Sequence, residues 1–324
     1  MRAVCKAWSF ASPHVPPRGD DKLPLAMEFR WRPGPDSQVH GECRLLDPLS
    51  GDSDYVAEES VRGSNFHIFL DVILCATAYG WVLFFGSRFF LYSPFTTEVI
   101  KLPEFEEQLS FSLATISLKC VIFVLYNKYK KIHIMLCSPC DSSWKTFEFN
   151  AFGQGNRVVD VTYANGVYYC VFREGQLGAF NLEHKEWTIL VEHAPLPGFN
   201  FHYAKLFSCD GHLRLLSCEH HSNLVKLDLP KMHWVFEKDL NGHVLFIGCT
   251  SLCAPAVGES SQLANIIISS RVPFHPAVRW HGYTSLPRSP LIYGCVAAGH
   301  THGRTWIELP LRGIWRANDL IHAI

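Results

Sequence analysis

Val99, Trp144, Trp187 and Trp234 stand 45, 43 and 47 residues apart, and each follows a polar turn and opens an apolar stretch. A repeat of that length is the span of a propeller blade of four short strands. One four-stranded sheet cannot bury both of its faces, and copies stacked around an axis do it for one another. A bulky aromatic once per unit places a large apolar area at the seam between copies. Dividing residues 36–310 by ~45 predicts an all-β, β-propeller-like fold of about six four-stranded blades. A pair of β-sandwiches is the rival architecture, since it also spaces its turns evenly.

Turn chemistry agrees with the repeat. Asn165-Gly166 between two aromatic-rich runs suits a type I′ hairpin, and Asp210-Gly211 suits another. Arg173-Glu174-Gly175 marks a third. Helical spacing is confined to residues 1–11, where Val4, Cys5 and Trp8 share a side. Residues 12–35, rich in proline, glycine and charge, read as a linker, and 311–324 as a C-terminal tail.

Charge narrows the partners. Lys+Arg 29 against Asp+Glu 30 leaves a net charge of −1, which offers no field for nucleic acid or anionic lipid. Lys128, Lys130 and Lys131 around Tyr129 form the basic cluster, and a hairpin tip explains them. Residues 66–85 are long enough to span a bilayer, but His67 and Asp71 lie inside the run and Gly80 divides it. Two buried strands joined near Ala78-Tyr79-Gly80 fit better. The run 109–126 carries Lys119 and reads the same way, so no membrane segment is expected.

The 12 cysteines are scattered along 324 residues, and residues 1–19 lack an apolar stretch of signal length. Reduced thiols in a cytoplasmic or nuclear protein are expected. Pro13, Pro16 and Pro17 break any transit-peptide helix there.

Catalytic and metal chemistry find little footing. Cys137 and Cys140 form a C-x-x-C pair, but a zinc site needs two more ligands. Cys120 and Cys170 are single cysteines at a distance, and Pro139 lies within the pair, so a turn is expected. Among 17 histidines, the adjacent His220 and His221 would face opposite ways on a strand. His300 and His302 would share a face, while His233 and His243 stand apart, and all read as loop or surface residues. There is no G-x-S-x-G elbow, no P-loop and no G-x-G-x-x-G after a strand. Gly153 and Gly155 mark a short turn. Asp20-Asp21, Glu58-Glu59 and Glu106-Glu107 are neighbours in polar stretches. No catalytic, cofactor-binding or metal residue is expected, and no cofactor. A rigid β scaffold with variable loops suits protein recognition.

Segments 80–103, 141–149, 160–182 and 223–248 resemble the plant F-box-associated β-propeller family, the KIB-type propeller. The resemblance covers residues 36–310. Residues 1–12, MRAVCKAWSFAS, resemble the last helix of an F-box. It implies a non-enzymatic substrate-recognition subunit of a Skp-cullin-F-box ubiquitin ligase, with a client protein and a Skp-type adaptor as partners. The first two F-box helices have no counterpart here, so residues 1–11 are expected to be a remnant lacking the usual adaptor surface. Residues 265–271 lack the family's acidic pair, which points to an irregular final blade or to imperfect closure of the ring, whereas 306–310 resemble the family's ending. The alternatives are a free-standing propeller that binds a partner without ligase contact, and a His-dependent metalloprotein built on residues 272–304.

Overall fold

Short apolar runs between turn residues become strands among the described residues. The computed structural model describes residues 23–33, 39–46, 48–49, 72–96, 98–105, 111–128, 130–151, 157–192, 196–218, 223–270, 278–279 and 302–308. The helix expected at 1–11 and the tail at 311–324 lie outside the described residues.

The chain opens with β1 (Leu25–Pro33) and β2 (Val39–Leu46). Blade 1 holds β3 (Ile73–Ala78), β4 (Trp81–Phe85), β5 (Phe89–Tyr92) and β6 (Val99–Lys101). Blade 2 holds β7 (Leu113–Ile116), β8 (Ile122–Lys128), β9 (Lys131–Cys137) and β10 (Lys145–Asn150). Blade 3 holds β11 (Val158–Ala164), β12 (Val167–Phe172), β13 (Leu177–Asn181) and β14 (Glu186–Val191). Blade 4 holds β15 (Ala204–Cys209), β16 (His212–Ser217), β17 (Leu224–Asp228) and β18 (His233–Glu237). These four blades are antiparallel meanders in chain order. Blade 5 is built from β19 (His243–Ile247), β20 (Leu252–Pro255), β21 (Ile266–Ser269) and β22 (Val278–Arg279). Its order is β20-β19-β21-β22, with β19 and β21 parallel. Finally β23 (His302–Ile307) pairs antiparallel with β1, Met27 opposite Thr305, so strands from both ends of the described chain form the sheet β2-β1-β23.

The four residues that set the repeat share one structural place. Val99 opens β6, Trp144 directly precedes β10, and Trp187 and Trp234 are the second residues of β14 and β18. They mark the outermost strand of blades 1 to 4.

The fold is an all-β propeller, but the expected blade count is corrected. Five sheets, not about six, have four strands among the described residues, and the sixth has three. Even division of 36–310 missed that the last sheet draws β1 from residues read as linker. Leu25–Pro33 is a strand, not a connector.

Burial explains the composition of the strands. A sheet packed on one face alternates apolar and polar residues, whereas one packed on both faces is apolar throughout. In β4, Trp81 and Leu83 face blade 2, while Val82 and Phe84 face the closing sheet. In β12, Val167, Tyr169 and Val171 face blade 4, while Tyr168, Cys170 and Phe172 face blade 2. Each run therefore fills two seams. Six apolar clusters lie between successive sheets around a closed ring, the last two joining blade 5 to the closing sheet and the closing sheet to blade 1.

The hairpins use the turns their residues favour. Asn165 and Gly166 have φ of 51° and 82°, and Asp210 and Gly211 have 51° and 71°. Positive φ at both central positions is the type I′ signature, which follows the twist of the strands it joins. Gly178 serves a different need, because a Cβ there would stand 2.3 Å from the Trp187 ring. Among the described residues, no helix is long and apolar enough to cross a membrane.

Candidate interaction surface

Antiparallel meanders place successive turns of a blade at opposite ends, so blades 1 to 4 each offer turns to both rims of the ring. What those rims can do depends on how firmly the seams hold them.

Polar ties cross the seams. The Trp144 indole N–H donates to the Pro103 carbonyl at the end of blade 1 (3.2 Å). The Trp234 indole donates in the same manner to Gly175 of blade 3 (3.1 Å). Trp187, the third of the set, packs near Phe149 and Phe172 at the seam of blades 2 and 3. Its Nε1 is buried with no hydrogen-bond partner among the described residues. The Tyr168 hydroxyl reaches back to the Val121 carbonyl (2.8 Å), and burial pushes its pKa well up, so it stays a donor. At ring closure, Thr77 donates its hydroxyl to the Trp306 carbonyl (2.7 Å) and its amide to Thr250 Oγ1 (2.9 Å). Cys249 Sγ and Thr305 Oγ1 lie 3.0 Å apart beside them.

Two buried charges sit in or beside the seams. Asp160 on β11 accepts the Leu206 amide of β15 across the seam (2.8 Å), with the Lys205 ammonium 3.7 Å away. Burial pushes the Asp160 carboxyl up, opposed by Lys205 and by the Leu206 and Val161 amides. A raised folded pKa means that this group contributes stability while protonated, below the unfolded value of ~4. That contribution is lost as pH rises through the folded value. Asp160→Asn keeps an oxygen for the Leu206 amide and removes the titration. In urea denaturation from pH 4 upward, the stability of wild type minus that of the variant should fall with pH and then level off. A difference that grows with pH contradicts the assignment.

Arg214 on β16 is fully buried. Its guanidinium grips Glu237 of β18 through two bonds, Nε to Oε2 (2.7 Å) and Nη2 to Oε1 (3.2 Å). Its third nitrogen, Nη1, donates to the Cys209 carbonyl. The fork thus ties the inner and outer strands of blade 4 through a strand between them.

The sequence candidates fall where no chemistry converges. Cys137 is buried at the end of β9, its thiol pushed up to about 12 by burial, while Cys140 is exposed in the following turn. Burial likewise pushes Cys120 up to about 12 and raises Cys170. Lys128 and Lys131 face each other at a hairpin tip, and Lys131 pairs with Glu148 (2.6 Å). His233 opens β18, and His243 Nδ1 lies 3.0 Å from the Leu240 and Asn241 carbonyls. His302 is a residue of β23. His220, His221, His300, Gly153, Gly155, Asp20, Asp21, Glu58, Glu59, Glu106 and Glu107 lie outside the described residues. Among the described residues, no three His, Cys, Asp or Glu side chains gather as a metal site.

One cysteine expectation is corrected. Cys209 of β15 and Cys253 of β20 form a disulfide across the seam of blades 4 and 5, where reduced thiols were expected. The pairing has no signature in the spacing of scattered cysteines. Arg214 and Asp160, single charges within apolar strands, also escaped sequence reasoning. The run around Asp160 reads VVDVTY, and a lone acid there was the available signal.

Large apolar side chains reaching solvent are few among the described residues, namely Phe236 on β18 and Val257. The ring is thus apolar in its seams and polar on its described surface.

The chain is similar to several known proteins. Residues 56–267, about two-thirds of the chain, match the family described as the KIB1-4 beta-propeller. An F-box protein of Arabidopsis thaliana is 26% identical over 77% of this chain and 66% of its own length. An F-box/kelch-repeat protein of the same plant is 27% identical over 58% of this chain and 51% of its own. The chain therefore spans half to two-thirds of the length of the curated relatives it matches. Among solved structures, a Bacteroides thetaiotaomicron protein of unknown function aligns with a TM-score of 0.38 at 12% identity, covering 54% of this chain and 50% of that one.

Proposed function

We propose, from the premise that this chain belongs to the KIB1-4 β-propeller family, that it is a non-enzymatic protein-interaction module serving as the client-recruiting part of an F-box-type ubiquitin ligase. The observation that carries this reading is the similarity of this propeller to F-box proteins over 58 to 77% of the chain, in a ring whose seams are tied by apolar clusters and buried hydrogen bonds. A ring with its apolar surface committed to seams keeps its described turns in fixed places. Pre-placed loops lose little entropy when they meet a partner. Catalysis is no part of the proposal; the work is to hold a client beside the ligase. The compartment proposed is the cytoplasm or nucleus.

The test is co-purification of the full chain with a plant Skp-type adaptor. Co-elution as a one-to-one complex on size exclusion supports the ligase reading. Separate elution, under conditions where an intact F-box protein binds the same adaptor, overturns it in favour of a propeller acting without ligase contact. Stoichiometric zinc in the purified chain would overturn the non-enzymatic interaction reading altogether.

A further inference from the structure

We propose that the Cys209–Cys253 bond is a reversible redox latch on the seam between blades 4 and 5, opened and closed by exchange with small thiols of the glutathione class. This inference needs no assumption about client or adaptor.

Cys209 is the last residue of β15, directly before the Asp210-Gly211 turn. Cys253 lies on β20, an edge strand of blade 5. Their Cα atoms are 5.4 Å apart, and the bond is the covalent link across this seam.

The apolar cluster between blades 4 and 5 has six buried members, Phe207, Cys209, Leu216, Leu224, Leu240 and Leu245. The other seams have ten to fifteen among the described residues. Blade 5 is also the irregular sheet, with a parallel pair in its middle. A covalent tie therefore acts where burial holds the ring least.

Cys253 is partly exposed and Cys209 is buried, so an incoming thiolate meets the Cys253 sulfur. Thiols held deep in other seams, such as Cys120 and Cys137, are kept protonated by burial and cannot compete.

The chemistry balances. A thiolate of the reductant attacks the Cys253 sulfur and forms a mixed disulfide. The Cys209–Cys253 bond breaks, and the Cys209 sulfur leaves with the electron pair and takes up a proton. A second reductant thiol attacks the mixed disulfide, which frees the Cys253 thiol and yields the reductant as its own disulfide. Two electrons pass from two small thiols to two protein sulfurs. Closure is the reverse, with glutathione disulfide as the oxidant. With the bond open, β15 and β20 are held by the small apolar cluster, and the ring loosens at this seam.

The experiment equilibrates the full chain with graded ratios of glutathione to its disulfide. Alkylation and mass spectrometry read the bond, and amide hydrogen exchange reads the seams. The bonded fraction should follow the ratio. On reduction, amides in 204–209 and 252–254 should exchange about tenfold faster or more, while 122–128 and 167–172 hold their rates. Cys253→Ser should match the reduced protein at every ratio, and Cys140→Ser should match wild type. Cysteines that stay free at every ratio, a bond that never opens, or unchanged exchange at the seam would overturn the latch. Faster exchange all around the ring would also overturn it, since that marks a fixed staple of the whole fold.

Discussion

Trp234→Ala should lower the unfolding free energy by ~3–5 kcal/mol, the cost of emptying a fully packed aromatic site. Trp234 is buried in the seam cluster of blades 3 and 4, among Leu177, Leu213, Leu215 and Val225. It also donates across the seam to Gly175, so the substitution strands a carbonyl as well as opening a cavity. Trp234→Phe separates the two effects. It keeps most of the volume and loses the donor, and it should cost about 1–2 kcal/mol, the penalty of an unpaired buried acceptor plus slight repacking. Urea denaturation measures both. A loss under ~1 kcal/mol for the alanine variant would mean that this tryptophan does not sit in a packed seam.

Arg214→Ala should be comparably severe, at ~3–5 kcal/mol. The guanidinium is fully buried and is held on three sides, by both Glu237 oxygens and the Cys209 carbonyl. Removing it leaves a largely buried carboxylate without its partner and a carbonyl without its donor. The same physics predicts a rescue. Arg214→Met combined with Glu237→Leu removes both charges and refills the volume, and it should recover most of the stability. A double variant no more stable than Arg214→Ala would show that the pair is needed for more than charge balance.

Much of the ring was legible because its repeat follows from packing. A large apolar residue must open the outer strand wherever a blade turns back on its neighbour. Val99, Trp144, Trp187 and Trp234 therefore keep a spacing that survives changes in the loops between them. The type I′ turns were legible for a local reason, since positive φ at two successive positions selects Asn-Gly and Asp-Gly.

The closing sheet was hidden by its surroundings. Prolines and glycines flank β1 on both sides and read as a linker. Yet Leu25, Met27 and Phe29 alternate with Ala26 and Glu28, a strand pattern of period two. Met27 and Phe29 do face blade 1, while Ala26 faces blade 5. Pattern within the segment was the better guide than its flanks. The disulfide could not be read at all, because 12 cysteines permit many pairings and only the fold brings Cys209 to Cys253. The same holds for Asp160 and Arg214, whose partners come from other strands.

The central claim is that sheets wrap into a ring closed by pairing the two ends of the described chain. The most direct measurement is a proton NOE experiment on the deuterated, selectively labelled chain, observing β1 and β23. Contacts between the backbones of Met27 and Thr305, and of Ala26 and Trp306, are the predicted result. Their absence, with β23 paired to another strand instead, would contradict the closed ring.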